Sequence, residues 1–259
     1  MSDFLAIDEN LRAAMRFFGI ATGSGEIREL DGAIAMFSGL DYGVFNIALL
    51  TRPVHDDLEE RLASIARFFR ERTLRWSVWI CEDLLEPSAR RRERQTMANF
   101  GMRAISNPPG MIADHFHAPV RPLPQIEVGP VTDAKTRKAF TELTAVSFDI
   151  PYLVASSVYS RAQAWTGDYQ GYVGSVDGEV VAITAMVAAA GVIGVYSLAT
   201  LPDYRRHGYG EALLRAAVAL TAKRTGLSRI ALQSTEAGYS LYKRMGFRDL
   251  TRYTVYLTR

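Results

Sequence analysis

The segment Leu198-Ala199-Thr200-Leu201-Pro202-Asp203-Tyr204-Arg205-Arg206-His207-Gly208-Tyr209-Gly210-Glu211-Ala212-Leu213-Leu214 constrains this chain more than any other. An apolar lead from Val192 stops at a proline, and two closely spaced glycines precede a helical pattern. The pattern predicts a strand over 192–200, a short loop, and a helix that starts on the second glycine and runs to Thr225. Leu213, Leu214, Ala217, Val218 and Leu220 fall on its inward face, with Gly226 just past its end. A glycine loop entering a helix turns several backbone N–H groups toward one point, and the helix N-terminus adds partial positive charge there. The result is a pyrophosphate cradle made of main chain, which Arg205 and Arg206 can reinforce with charge-assisted hydrogen bonds.

Glycine loops that hold phosphate differ in spacing. Dinucleotide and kinase fingerprints need Gly-x-Gly-x-x-Gly, but Leu213 stands where the third glycine belongs, and Gly210-Glu211-Ala212 is not the Gly-Lys-Ser/Thr of a P-loop. What remains is Arg205-x-x-Gly208-x-Gly210, which resembles the coenzyme A signature of the GNAT N-acetyltransferase superfamily. Leu198-Ala199-Thr200-x-Pro202 before it and the amphipathic helix after it are similar too. A second block, from Gln233 to Phe247, resembles the family's last block: a strand, a helix carrying Leu241-Tyr242, then Gly246-Phe247 opening the final strand. The blocks stand in the family's order, and the resemblance spans residues 172–256.

Composition excludes several alternatives. With 259 residues, 48% of them hydrophobic, the chain can bury one large core or two modest ones. A net charge of +2 gives no global pull toward nucleic acid. The run Ala89-Arg90-Arg91-Arg92-Glu93-Arg94 spreads around a helix and reads as a solvated face. The single cysteine, Cys81, cannot close an internal disulfide and reads as a small buried hydrophobe in a reducing compartment. Met1-Ser2-Asp3-Phe4-Leu5 shows no basic region followed by an apolar stretch, and no apolar run has membrane length, so a cytoplasmic protein without a membrane partner is expected. His115-Phe116-His117 has no cysteine or acidic company, so no metal is expected.

Ala118-Pro119-Val120-Arg121-Pro122-Leu123-Pro124 reads as a linker that divides the chain into 1–120 and 121–259. In the second part, Asp133 to Ser147 is predicted helical, with Thr132 or Asp133 as cap and Ala139, Phe140, Leu143 and Val146 inward. A second helix is predicted from Pro151 to Trp165. Strands over 169–176 and 179–187 flank the hairpin signal Asp177-Gly178. Ile230 to Gln233, Ala237 to Met245 and Phe247 to Leu257 read as strand, helix and strand. The first part gives strands at 33–38 and 44–50, a helix over 56–73, a strand at 76–81, and a helix capped by Ser88 that ends before Gly101-Met102. The shared order predicts a duplication. The expected fold is α/β (α+β), two tandem GNAT-like domains, each a mixed, mainly antiparallel sheet flanked by helices. In the first copy, Thr51-Arg52-Pro53-Val54-His55-Asp56-Asp57 has no glycine, and its aspartates would occupy the N–H groups a phosphate needs. Met97 stands where the second copy has Tyr242. A first copy that shapes structure without binding coenzyme A is expected.

The resemblance implies acetyl-CoA as co-substrate and direct acetyl transfer to the amine of a small molecule or peptide. Leu198, Ala199 and Thr200 would pair with the pantetheine arm. Arg205, Arg206, His207, Gly208, Tyr209, Gly210 and Glu211 would form the cradle, with His207 giving its backbone N–H. Tyr242 matches the family tyrosine that protonates the departing thiolate, and Thr235 stands where many relatives carry an asparagine. Family pockets nominate Phe148, Asp149, Tyr152, Trp165 and Tyr196 for the acceptor; Asp149 reads equally as an acid and as the cap of the next helix. A catalytically silent acyl-CoA-binding module is the alternative, and a homodimer stays open.

Overall fold

The computed structural model describes residues 2–72 and 74–259. Its elements, in chain order, are α1 (Asp3–Ile20), β1 (Glu26–Leu30), β2 (Ala33–Phe37), β3 (Ile47–Leu50), α2 (Leu58–Arg70), β4 (Ser77–Cys81), α3 (Pro87–Asn99), β5 (Met102–Ser106) and β6 (Pro109–Ala113). Then come β7 (Glu127–Pro130), α4 (Ala134–Phe148), α5 (Tyr152–Tyr159), β8 (Gln170–Val176), β9 (Glu179–Ala189), β10 (Val192–Thr200), α6 (Tyr209–Thr225), β11 (Ile230–Gln233), α7 (Glu236–Arg244) and β12 (Arg248–Thr258).

Local chemistry explains most of these. Asp177 and Gly178 both have positive φ, 51° and 81°, the geometry a tight hairpin needs between β8 and β9. Asp133 and Thr136 close a reciprocal capping box at α4, and Gly226, at φ 74°, ends α6. Some expectations need correction. Ser88 lies inside α3, whose N-cap is Glu86, because Pro87 already supplies the fixed φ of a first helical residue. The helix expected from Pro151 to Trp165 stops at Tyr159, and Ala162–Thr166 forms a 3-10 turn. Val146 and Leu220, expected inward, are exposed; α4 instead buries Phe140, Thr141, Leu143 and Thr144. The expected end of the helix over 56–73 falls on residue 73, outside the described residues; α2 covers Leu58–Arg70.

The strands form one continuous, mainly antiparallel sheet in the order β1-β2-β3-β4-β12-β6-β11-β10-β9-β8-β7, with β5 also on β12. Two copies of one arrangement meet in it. In the first, β1, β2 and β3 make an antiparallel meander, α2 crosses over to parallel β4, and α3 leads to β5. In the second, β8, β9 and β10 make the meander, α6 crosses to parallel β11, and α7 leads to β12. The copies exchange their final strands. β6, from the first half, sits between β11 and β12, while the end of β12 pairs with β4 over residues 253–257 and with β5 over residues 255–258.

The exchange merges the cores. Ile112 of β6 faces a core that joins Ile7, Leu11 and Phe17 of α1 to Ile183 and Val187 of β9. Met111 and Ala113 face the opposite side, with Leu213, Leu214 and Phe247. This is the period-two alternation of a strand buried on both faces. The first helix thus packs on the second half's strands, where Asn10 donates to the carbonyls of Val187 (2.9 Å), Ala189 (3.1 Å) and Val192 (3.3 Å).

Candidate active site

β10 carries the front of the site. It pairs with β9 along its length, but its parallel register with β11 covers only Ile193↔Ile230 and Gly194↔Ala231. Past Gly194 the two strands part, and β10 runs on to Thr200 without that partner. Its register with β9 shifts between Tyr196 and Ala199, around Ser197, whose φ is 51°. Leu198, Ala199 and Thr200 then line a cleft of about 820 Å³.

The glycine loop forms the cleft's floor. Gly208 takes φ 97° and is the N-cap of α6, so the helix begins at Tyr209, one residue before the expected start. No side chain caps it. The N–H groups of residues 207–211 have no acceptor among the described residues, the condition under which a helix end receives an anion. A Cβ on Gly210 would lie 2.9 Å from Thr200 Oγ1, so any larger residue there would crowd the helix start against β10. Arg205 Nε donates to the Thr200 carbonyl at 2.9 Å and latches the loop to the strand. Glu211 would oppose an anion, but Arg215 holds its carboxylate at 2.7 Å.

The opposite wall is α7. Thr235 caps it by accepting from the Gly238 N–H at 3.3 Å and also lines the cleft. Tyr242 lines the cleft with its ring folded back on the helix; a Cβ on Gly238 would meet Tyr242 Cε2 at 2.7 Å. Phe247 meets the ring edge-on at 5.5 Å. The phenol has no hydrogen-bond partner among the described residues, and burial pushes its pKa up to about 12, so it holds its proton at neutral pH.

The expected cradle residues, with Thr235 and Tyr242, therefore come together, except His207, which is exposed and outside the lining. The acceptor nominees separate. Phe148 lines the cleft. Asp149 is the left-handed C-cap of α4, φ 52°, and caps no following helix; Pro151 occupies that position for α5. Tyr152 is exposed and lies outside the lining. Trp165 packs among Phe17, Phe140 and Tyr159 and donates its indole N–H to the Tyr159 carbonyl at 2.9 Å. Tyr196 gives its hydroxyl proton to Asn10 Oδ1 at 2.7 Å, a structural bond between the halves. An aromatic residue near a site in sequence carries no sign of which face it takes, and here the first half's α1 claimed the two rings.

Sequence reasoning missed Ser147, Arg121 and Arg244 in the lining. Arg121 comes from the proline-rich linker, which runs across the second half: its guanidinium donates to the Arg206 carbonyl, and Pro124 packs 3.0 Å from where a Gly208 Cβ would stand. The signal was present in an arginine set between prolines, which hold a segment extended. Two sets named in the sequence lie elsewhere. His117 packs against Gly246, with its N–H on the Met245 carbonyl at 2.9 Å. In the arginine run, Arg90 pairs with Glu82 and Arg92 with Asp56.

The matching loop of the first half is built in reverse. Arg61, almost fully buried, donates to the carbonyls of Arg52 (2.8 Å) and Pro53 (2.7 Å) and pairs with Asp57 at 2.6 Å. The loop thus turns its carbonyls inward onto a cation. Asp57 accepts from Arg61 and from the His55 N–H, and makes no cap bond to the helix start, contrary to the expectation that the aspartates occupy those N–H groups. Met97 is fully buried in α3.

Comparison with known proteins agrees with this architecture. Residues 167–249 match the family model for an acetyltransferase (GNAT) domain. A GCN5-related N-acetyltransferase from Kribbella flavida superposes with TM-score 0.70 at 18% identity, covering 96% of this chain and 95% of that one. A putative GNAT-family acetyltransferase from Novosphingobium aromaticivorans gives TM-score 0.54 at 21% identity over 97% of both chains. A tandem GNAT protein from the clavulanic acid biosynthesis pathway gives 0.55 at 14%, covering 87% of this chain and 78% of that one. No curated protein matches the sequence. The fold is the one these GNAT proteins share, the tandem one included, and the match to the acetyltransferase (GNAT) domain model lies in the second half of the chain. Among the described residues, no helix is long and apolar enough to cross a membrane.

Proposed function

We propose that the chain is an N-acetyltransferase that moves an acetyl group from acetyl-CoA directly to an amine, with a single competent site in the second half. The observation that carries this reading is the joining, in one cleft, of an open helix N-terminus at Gly208, the unpaired edge of β10 and the buried phenol of Tyr242. The cradle N–H groups with Arg205 and Arg206 would hold the pyrophosphate, and the main chain of Leu198, Ala199 and Thr200 would hold the pantetheine amides. Acetyl-CoA supplies an activated thioester. As the new C–N bond forms and the C–S bond breaks, the amine gives up a proton and the sulfur needs one. Tyr242 would lend that proton and regain one from solvent, a task suited to a phenol that stays protonated at working pH. The first half would bind no coenzyme A, because Arg61 fills its loop and Met97 replaces the phenol. Its part would be structural, through the exchanged strand and α1, in a protein acting in the cytoplasm.

Free thiol released from acetyl-CoA in the presence of amines tests the reading. Tyr242→Phe keeps the ring and removes the proton; its turnover should fall about 100-fold, with acetyl-CoA affinity nearly unchanged. Equal turnover would remove Tyr242 from the chemistry. Binding of acetyl-CoA without turnover of any amine would favour the silent acyl-CoA-binding module.

A further inference from the structure

Among the described residues, Ser197 alone is a non-glycine residue that sits inside a strand with positive φ, 51°. The others of that conformation, Asp149, Asp177, Ala190 and Arg206, all stand outside strands. A left-handed conformation at such a residue persists where its surroundings hold it. Here the holder is Tyr169, whose hydroxyl shares a hydrogen bond of 2.8 Å with Ser197 Oγ. Tyr169 is buried, and its ring stacks on Phe17 of α1 with centroids 4.2 Å apart and planes at 22°. Burial pushes its pKa upward, so it stays a neutral hydroxyl. The preceding residue, Tyr196, is tied to Asn10 of the same helix. A helix of the first half therefore fixes Tyr196 directly and Ser197 through Tyr169.

This bend selects which main-chain groups face the cleft. Ile193 turns its N–H away from β9, onto the Arg229 carbonyl at 2.8 Å. In a regular strand the other odd-numbered residues would turn the same way. Leu201 instead donates to Val181 of β9 at 2.9 Å. One extra residue has been inserted between them. The register agrees, since Thr184 alone faces Ser197 and Leu198, between the pairs Tyr196↔Ala185 and Ala199↔Ile183. Side chains swap faces at the same point: Tyr196 packs against the core of Ile7 and Ile183, and Leu198, two residues on, against that of Leu213 and Phe247. The insertion thus turns the main chain of Leu198 and Thr200 to the side where β10 has lost its partner strand, and Ala199 to β9. Without it Ala199 would face the open side, and Leu198 and Thr200 would be spent on β9.

We propose that Tyr169, acting through Ser197, is a positioning residue for the acetyl donor: their bond holds the bulge that presents the main chain of Leu198 and Thr200 to the pantetheine arm. The proposal rests on the acetyl-transfer reading above. The pyrophosphate end of the donor, seated on the glycine loop, does not depend on this bond.

Calorimetric titration of the full chain with acetyl-CoA and with ADP tests the proposal. ADP keeps the pyrophosphate and lacks the pantetheine arm and the thioester. Tyr169→Phe should weaken acetyl-CoA binding about fivefold, the worth of one hydrogen bond, and leave ADP binding within about twofold. Ser197→Ala should do the same, and the double variant should lose no more than either single one, because both remove one bond. Ser197→Gly in the Tyr169→Phe background should restore acetyl-CoA binding to within about twofold of native, because glycine takes the left-handed conformation unaided. Should Tyr169→Phe fail to fold, Ser197→Ala decides alone. Unchanged acetyl-CoA binding, a parallel loss of ADP, additive losses, or no recovery with glycine would overturn the proposal. Absence of acetyl-CoA binding to the native protein would instead overturn the acetyl-transfer reading on which it rests.

Discussion

At the scale of single residues, the site depends on atoms that are missing as much as on atoms that are present. Gly208 at φ 97° leaves the first N–H groups of α6 facing the cleft. A valine there would be forced into a left-handed conformation that β-branched residues resist. At about a hundred times its dissociation constant, acetyl-CoA should stabilise the native protein by about 2.7 kcal/mol. Gly208→Val should lose that shift in a thermal melt while still folding, and an undiminished shift would place the ligand elsewhere. Tyr242 gives a pH test. Its pKa, lifted to about 12 by burial, means that the acid form persists through the range of ordinary assays. The rate should therefore show no falling limb between pH 8 and 10 from loss of this proton. A limb there that vanishes in Tyr242→Phe would contradict the burial described for the ring. These two residues were legible because their motifs carry chemistry in their spacing. Ser147 was not, since a serine at a helix end is ordinary until the fold removes its partners.

Elements show where sequence patterns suffice and where packing takes over. β10, β11 and the β8–β9 hairpin lie where alternation and Asp177-Gly178 put them, and α6 is one helical pattern between two glycines. α1 escaped notice, although it buries Asn10 completely and joins the two halves. A polar residue on an apolar helix face carries no sign of partners far away in sequence. Asn10 donates to three carbonyls around the β9–β10 turn and accepts from Tyr196, so the strand that fronts the cleft is braced by the opposite half of the chain. Asn10→Ala would strand the Tyr196 hydroxyl and those carbonyls, at a cost of about 2–4 kcal/mol in urea unfolding. In a double-mutant cycle with Tyr196→Phe, the coupling should be about 1–3 kcal/mol. Strict additivity would mean that the bond braces nothing.

The whole molecule is two copies joined through their exchanged strands. The repeat of strand, helix, strand and helix was readable from hydrophobic period and from the matched Gly101-Met102 and Gly246-Phe247. The strand exchange was not, because β6 and β12 would look the same in either sheet, and only three-dimensional pairing settles their neighbours. The exchange has a consequence for stability. A fragment 121–259 lacks β6 and α1, leaving β11 and β12 with open edges and an apolar face uncovered, and should be insoluble or unfolded. For the intact chain, urea melts followed by fluorescence of Trp76 and Trp79 in the first half and of Trp165 in the second, isolated by Trp→Phe variants, should coincide in one transition. Separate midpoints would show that the halves fold independently. The two copies also differ in charge logic: one loop offers N–H groups to an anion, and the other folds its carbonyls onto buried Arg61. Calorimetric titration of the intact chain with acetyl-CoA puts that difference to the most direct test. One site per chain is expected, lost in Gly208→Val; two equivalent sites, or one that survives that substitution, would contradict a single competent cradle.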